Sequence, residues 1–410
     1  MTEPLRVALL TYRGNPLSGG QGVYVRYLSA ALSALGHHVE VFSGPPYPEL
    51  VDGVGLTRVP SLDLYRPDDP FRRPARSEFK DWIDILEYAS MCGAGFPEPL
   101  TFSLRAARML AERRADFDVV HDNQCLGYGL LRIARTGLPV VATIHHPIQI
   151  DRRLELQAAG VTRRMAIRRW YAFTRMQARV ARRLPIISPS TVAASDVEAE
   201  MKLIDNNVAV VPNGVDTDLF RPLPEVGKVA GRIVTTASAD VPLKGLPHLI
   251  EALAKLRTET DAHLIVVGAP PGSRITTALE RYGMERHVTF RTGIDRLELV
   301  ELYATSEVAV VPSLYEGFSL PAVEAMACAV PVVATTAGAL PEVIGTERTG
   351  ILVPPADAGA LATAIKSLLD DPELRRSIGE RARQRVLDHF TWRNTAELTV
   401  AEYRKAMAPC

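Results

Sequence analysis

Residues 313–335 read SLYEGFSLPAVEAMACAVPVVAT, and the architecture follows from this stretch. Just before it, residues 308–311 (VAVV) are continuously apolar, as expected of a parallel strand buried on both faces. Ser319 stands where a helix N-cap belongs, and Pro321 fits a first helical turn, where its missing N–H costs nothing. Helix-favouring residues continue to Ala327, Pro331 ends them, and residues 332–334 begin another strand. Strand, loop, helix and strand in this order form the repeating unit of a doubly wound α/β sheet.

Two carboxylates bracket the predicted helix start. Glu316 lies in the loop and Glu324 about five residues past the cap, ~7 Å along the axis at 1.5 Å per residue. Between them the amides after Gly317 form a helix N-terminus suited to an anion. Carboxylate, anion site, carboxylate matches a nucleotide sugar: sugar hydroxyls, diphosphate, ribose hydroxyls.

The run EGFSLPAVEAMACAVPVVAT resembles the donor-site signature of glycosyltransferase family four, retaining enzymes of the two-domain GT-B fold. The resemblance implies that Glu316 contacts the transferred sugar. It also implies that Gly317, Phe318, Ser319 and Leu320 offer backbone to phosphate and that Glu324 holds the ribose. Ala329 and Ala339 stand where the family usually has glycine.

Composition agrees with a folded two-domain chain. At 410 residues it is long for one core, and 47% hydrophobic with 23% charged residues is ordinary for a globular protein. Lys plus Arg equals Asp plus Glu at 47 each, which does not suggest a nucleic-acid partner. Residues 1–190 nevertheless hold 25 basic and 18 acidic side chains, so that half is net positive and the remainder net negative. Cys92, Cys125, Cys328 and Cys410 are scattered, which fits a reducing compartment and neither a disulfide scaffold nor a zinc site. With no apolar run of membrane-spanning or signal-peptide length, a cytoplasmic chain is expected, at most peripheral at the inner membrane face.

In the first half, residues 6–12 read as a strand, followed by the loop NPLSGGQG, a helix to about Leu35, and a strand at 38–43. Gly20-Gln21-Gly22 is half of a dinucleotide fingerprint, but Val25 occupies the third glycine position and Glu40 falls inside its strand. The same loop resembles the family's first loop, which implies that Gly19 and Gly20 approach the sugar diphosphate. Residues 45–103 show no clear βαβ rhythm, and the resemblance implies that they are acceptor-side decoration of a first domain that varies with the acceptor. Strands are expected at 118–122 and 139–145, each ending in a polar residue. By resemblance His145, with His146 as its neighbour, lies beside the reacting sugar, and His121 with Asn123 occupies the family's H-x-H position, Asn123 departing from it. From Arg152 to Arg183 a single long helix is expected, with ten arginines, one glutamate and an apolar stripe of Ile167, Trp170, Thr174, Ala178, Ala181 and Leu184. Its arginine face is either simply solvated or a contact for an anionic membrane or a phosphate-bearing acceptor. Residues 184–189 read as the last clear strand of this half.

The second half opens with VAVVPNGVDTDLFRP (208–222), which resembles the family's hinge and contains Asn213 in a tight turn. Asp216-Thr217-Asp218 has an Asp-x-Asp metal pattern, but Asp116-Phe117-Asp118 repeats it, and a turn is the simpler reading. Lys244, following a strand at 232–238, is the cation for the diphosphate. Ser238 stands where the family usually has Arg. Further strands at 263–268 and 288–292 put Gly268, Thr292 and Gly293 near the base. The expected organisation is two Rossmann-like domains facing across a cleft: 1–210 on the acceptor side, 211–390 binding the donor, and a helix at 391–410 packing back on the first. The expected function is a retaining glycosyltransferase moving a sugar from a nucleotide sugar to a hydroxyl acceptor, with no cofactor and no essential metal. His145, Lys244 and Glu316 are its catalytic candidates. A nucleotide-sugar epimerase of similar fold, or a non-catalytic nucleotide-sugar binding protein, are the alternatives.

Overall fold

The computed structural model describes residues 3–15, 20–66, 68–203, 208–237, 241–346 and 348–408. The chain divides into two compact units, Met1–Pro189 with Ala193–Val211 and Trp392–Cys410, and Ser190–Val192 with Pro212–Thr391.

In the first unit β1 (Arg6–Thr11), β2 (His38–Ser43), β3 (Gly55–Arg58), β4 (Val119–Asn123), β5 (Val140–Thr143), β6 (Ile186–Ser188) and β7 (Val208–Val210) form a parallel sheet. Its order is β3-β2-β1-β4-β5-β6-β7. Alternate side chains of β1 feed different cores, which is why the strand reads as a continuous apolar run. Val7 and Leu9 pack with Tyr24, Leu28 and Leu32 of α1 (Gly20–Ala34), while Ala8 and Leu10 pack with Phe102, Ala106 and Leu110. Trp392, Ala396, Val400 and Tyr403 of the C-terminal helix, Trp392–Met407, join the α1 side at helical spacing.

Three features of this unit differ from the sequence reading. Residues 45–115 hold edge strand β3 and two helices, α2 (Trp82–Cys92) and α3 (Glu98–Glu112). Asp81 caps α2 by accepting from the amides of Ile83 and Asp84. After α4 (Tyr128–Arg135), the expected single helix between Arg152 and Arg183 is three: α5 (Ile148–Ala158), α6 (Val161–Trp170) and α7 (Thr174–Ala181). The breaks fall at Gly160, which is extended, and at a 3-10 turn, Tyr171–Phe173. Beyond α8 (Thr191–Met201), a short and only half-buried β7 pairs with β6 and extends the sheet past residues 184–189.

The second unit repeats the plan. Strands β8 (Arg232–Thr236), β9 (His263–Val267), β10 (Val288–Arg291), β11 (Val308–Val311), β12 (Val332–Thr335) and β13 (Ile351–Val353) lie parallel in the order β10-β9-β8-β11-β12-β13. They alternate with α9 (Leu246–Leu256), α10 (Ser273–Tyr282), α11 (Arg296–Thr305), α12 (Leu320–Ala327), α13 (Leu340–Ile344), α14 (Ala358–Asp370) and α15 (Pro372–His389). In each unit the winding reverses once, between β1 and β4 and between β8 and β11. The crevice beyond the strand C-termini at such a reversal is where doubly wound sheets hold ligands. No described helix is long and apolar enough to cross a membrane.

Candidate functional site

In the second unit the reversal is lined by the loops after β8 and β11. Gly245 is left-handed (φ 66°), and a Cβ there would stand 1.9 Å from the Pro312 carbonyl oxygen. Glycine therefore lets the turn carrying Lys244 lie against the end of β11. There the Lys244 ammonium meets Glu316 Oε1 at 2.7 Å, and the Ser313 hydroxyl donates to the same oxygen at 2.7 Å. Gly338 holds the loop from the other side: its Cβ would lie 2.1 Å from the Glu316 carbonyl oxygen, which accepts from the Ala339 amide at 2.9 Å. Glu316 is thus buried yet paired, as a buried carboxylate must be.

The helix after this loop begins as expected at Leu320 with Pro321 in its first turn, but Ser319 does not cap it. Ser319 is left-handed (φ 82°), and its buried hydroxyl has no hydrogen-bond partner among the described residues. One turn into α12, burial pushes the Glu324 carboxyl up to about 7, with Arg296 pulling the other way. Phe318 is buried with its ring against Phe390 at 5.7 Å and presents backbone only. Asn213 is half-buried with Oδ1 enclosed and unpartnered among the described residues, while Thr292 is exposed after β10. Ser238 and Gly19 lie outside the described residues. Asp216 accepts from the amides of Asp218 and Leu219, the turn expected of it. Among the described residues no group of three or more His, Cys, Asp or Glu is placed to hold a metal.

The first unit gathers different chemistry. Gly20 opens α1, and at Gly22 a Cβ would fall 1.9 Å from the Asn15 carbonyl oxygen. Asn123, at the end of β4, donates through Nδ2 to the Gln21 carbonyl (3.1 Å) and faces His145 Nε2 with Oδ1 (2.9 Å). A carbonyl only accepts, so Asn123 must turn its amide nitrogen to Gln21 and its oxygen to His145. His145 therefore carries its proton on Nε2, which leaves Nδ1 as the basic atom. Burial lowers His145 to about 4, so it is neutral at physiological pH. Tyr24 packs edge-on against it at 4.5 Å. His121 is structural: wholly buried and lowered to about 3, it bridges Thr143 (2.7 Å) and Tyr403 (2.6 Å). His146 pairs instead with Asp151 at 3.2 Å. The sequence reading marked Asn123 as a departure and passed over its hold on His145. The two lie on adjacent strands that no local pattern connects. It also passed over Ser313 and Gly338 as supports of Glu316.

Residues 226–385 match the model for glycosyl transferases group 1, and residues 18–219 match that for glycosyltransferase family 4. The chain is 52% identical over 408 residues to an MMP alpha-(1->4)-mannosyltransferase of Mycolicibacterium hassiacum, covering 98% of this chain and 99% of the relative. It is 30% identical over 451 residues to a D-inositol 3-phosphate glycosyltransferase of Kineococcus radiotolerans, covering 98% and 95%. Sucrose-phosphate synthase of Thermosynechococcus elongatus shares the fold at TM-score 0.73 and 25% identity, covering 98% of each chain. Anabaena HepE in complex with UDP and glucose does so at 0.67 and 17%, covering 98% and 99%. With a relative matched end to end and both family models satisfied, the chain belongs to the family-four, group 1 glycosyltransferases of GT-B fold.

Proposed function

We propose that this glycosyltransferase takes its sugar from a nucleotide-sugar donor and transfers it with retention of configuration, without an essential metal. The observation that carries the donor assignment is the grouping at β11–α12. A lysine–carboxylate pair, an unpartnered buried hydroxyl and a helix N-terminus are followed one turn later by a carboxylate kept near neutrality. Glu316 Oε1 is taken by Lys244 and Ser313, which leaves Oε2 for a hydroxyl of the transferred sugar. The amides opening α12, the Ser319 hydroxyl and Lys244 are assigned to the diphosphate, whose charge grows as the glycosidic bond breaks. A charge-assisted contact of this kind is worth about 1.5–3 kcal/mol. Glu324 is assigned to the ribose hydroxyls, and His145 with its basic Nδ1 to the reacting sugar. Departure of the diphosphate on the face that the acceptor enters, with a donor phosphate oxygen taking the acceptor proton, gives retention. Mannose as the sugar and an α-(1→4) linkage are the reading that the 52%-identical relative supports.

A thermal-shift screen of UDP, GDP, ADP and their sugars tests the donor assignment. Ligand at a hundred times its dissociation constant adds ~2.7 kcal/mol, so one nucleotide sugar should raise the melting temperature of the native chain and raise that of Glu324→Ala clearly less. If none does, the donor assignment fails. NMR of the product's anomeric signal tests retention, and activity in EDTA tests metal independence.

One feature favours a second contact. On α6, Val161 and Met165 are 81% and 58% exposed, one turn apart, beside exposed Arg164 and Arg168. Apolar tips among arginines suit an anionic lipid surface. Salt-sensitive co-sedimentation with anionic liposomes, lost in Val161→Ser/Met165→Ser, is the expected result. Binding to neutral liposomes alone, or to none, refutes the contact.

A further inference from the structure

We propose that an aromatic cluster beyond β1 in the first unit is an acceptor subsite for an uncharged saccharide chain, an inference that rests on the transferase reading above. Six rings from separate segments meet there: Tyr12 after β1, Tyr65 and Phe71 after β3, Phe96 before α3, and Trp170 and Phe173 around the end of α6. Successive centroids are 6.3 Å apart for Tyr12–Phe96, 5.1 Å for Phe96–Trp170 and 6.3 Å for Trp170–Phe71. Tyr65 stands nearly perpendicular to Phe71 (82°) and to Trp170 (87°), so the rings present walls in different planes rather than one flat plate. Phe71 is 59% exposed and the other five are half-buried. Phe71 also adopts φ 63°, a conformation that bulky side chains avoid, with its amide held by the Leu64 carbonyl at 2.8 Å. An exposed ring backed by half-buried ones is the kind of apolar surface that marks interaction sites.

Two observations identify the occupant. The first is continuity with His145. Tyr12 hydrogen-bonds the Gln21 side chain, the Gln21 carbonyl accepts from Asn123, and Asn123 holds His145. A chain whose end reaches His145 therefore has these rings along its path. The second is charge. The Arg13 guanidinium lies 5.8 Å from the Tyr65 centroid and 5.7 Å from that of Phe96, but it is already bound by both oxygens of Glu98, at 2.5 and 2.7 Å. The pair brings no net charge to the rings, so Arg13 offers a phosphate-bearing acceptor no free cation. A pyranose suits the site: its C–H face lies on the negative face of a ring, and its hydroxyls reach the edges of the Arg13–Glu98 pair. A row of rings longer than one pyranose selects a chain over a monosaccharide.

The test titrates α-(1→4)-mannotetraose, mannose and D-inositol 3-phosphate into the full chain, followed by tryptophan emission and saturation-transfer NMR. Mannotetraose should bind at least tenfold more tightly than mannose, with the emission change lost in Trp170→Phe. Phe71→Asn, whose side chain tolerates the left-handed backbone, should weaken mannotetraose at least tenfold at an unchanged melting temperature, and Phe71→Tyr should restore it. In Phe71→Asn the thermal shift with nucleotide sugars should stay native. The proposal is overturned if Phe71→Asn and Trp170→Phe both keep native mannotetraose affinity. It is also overturned if inositol 3-phosphate binds where mannotetraose does not. Loss of the nucleotide-sugar shift in the native chain would instead count against the donor assignment, and saccharide binding would still report on the rings.

Discussion

Glu324 ties the donor assignment to a pH that can be measured. Its carboxyl is pushed from an ordinary 4.5 up to about 7 by burial, against a smaller pull from Arg296. Tyr303 is held well above its usual value and Cys328 is pushed up to about 12, so neither neighbour titrates near neutrality. Because the folded value lies above the unfolded one, the unfolded chain loses this proton first. Stability without ligand should therefore be fully present below pH ~4.5 and fall as pH rises towards 7, by at most about 3 kcal/mol at 1.36 kcal/mol per unit. Donor binding should run the opposite way, because ribose hydroxyls donate to the ionised carboxylate. With half the carboxyls protonated at pH 7, about ten in eleven are protonated at pH 6 and one in eleven at pH 8, which makes affinity about tenfold weaker at pH 6. Calorimetric titration of the nucleotide sugar found in the thermal screen measures this directly, since its diphosphate has no proton that titrates in this range. Glu324→Gln should bind ten- to a hundredfold more weakly than the native chain at pH 8. It should also show no pH dependence between 6 and 8. A native profile that is flat over this range, with Glu324→Gln binding as tightly as the native chain, would refute both the burial argument and the ribose assignment.

Lys244→Ala removes the cation and leaves the Glu316 carboxylate, among the described residues, to Ser313, so kcat/KM for transfer should fall about ten- to a hundredfold, and Lys244→Gln should not restore it. Gly338→Ala places a methyl 2.1 Å from the Glu316 carbonyl oxygen at a φ of 57°, and urea denaturation should show a loss of more than ~1 kcal/mol together with weakened donor binding; an unchanged midpoint with normal binding counts against the packing argument. Asn123→Ala frees His145 from its acceptor, and nitrogen-15 NMR of the imidazole should change from a single tautomer protonated on Nε2 to a mixture, with kcat lowered about tenfold.

The parts of this molecule that were legible in the sequence are those in which one contiguous segment does the work. Strands β11 and β12 are buried on both faces, so VAVV and VVAT appear as unbroken apolar runs, and the loop and helix between them carry Glu316, Ser319 and Glu324 within nine residues. The donor assignment rests on this one stretch because a helix N-terminus and the strand end before it lie together at the ligand-holding edge of a doubly wound sheet. Edge strand β3 was not legible: GLTR is largely exposed and leaves no apolar signature. Nor was the break at Gly160, because a single glycine between arginine-rich stretches does not by itself end a helical pattern, while the backbone there is extended. The pairing of Asn123 with His145 depends on the register of β4 against β5, and that of Arg13 with Glu98 spans 85 residues. The aromatic cluster takes one or two rings from each of several segments, none of which has a periodicity to mark it. A carboxylate pair read from one continuous segment and a ring cluster assembled from distant loops therefore differ in what can reveal them. Spacing along the chain suffices for the first, while the second exists only once the sheet has set the order of its strands.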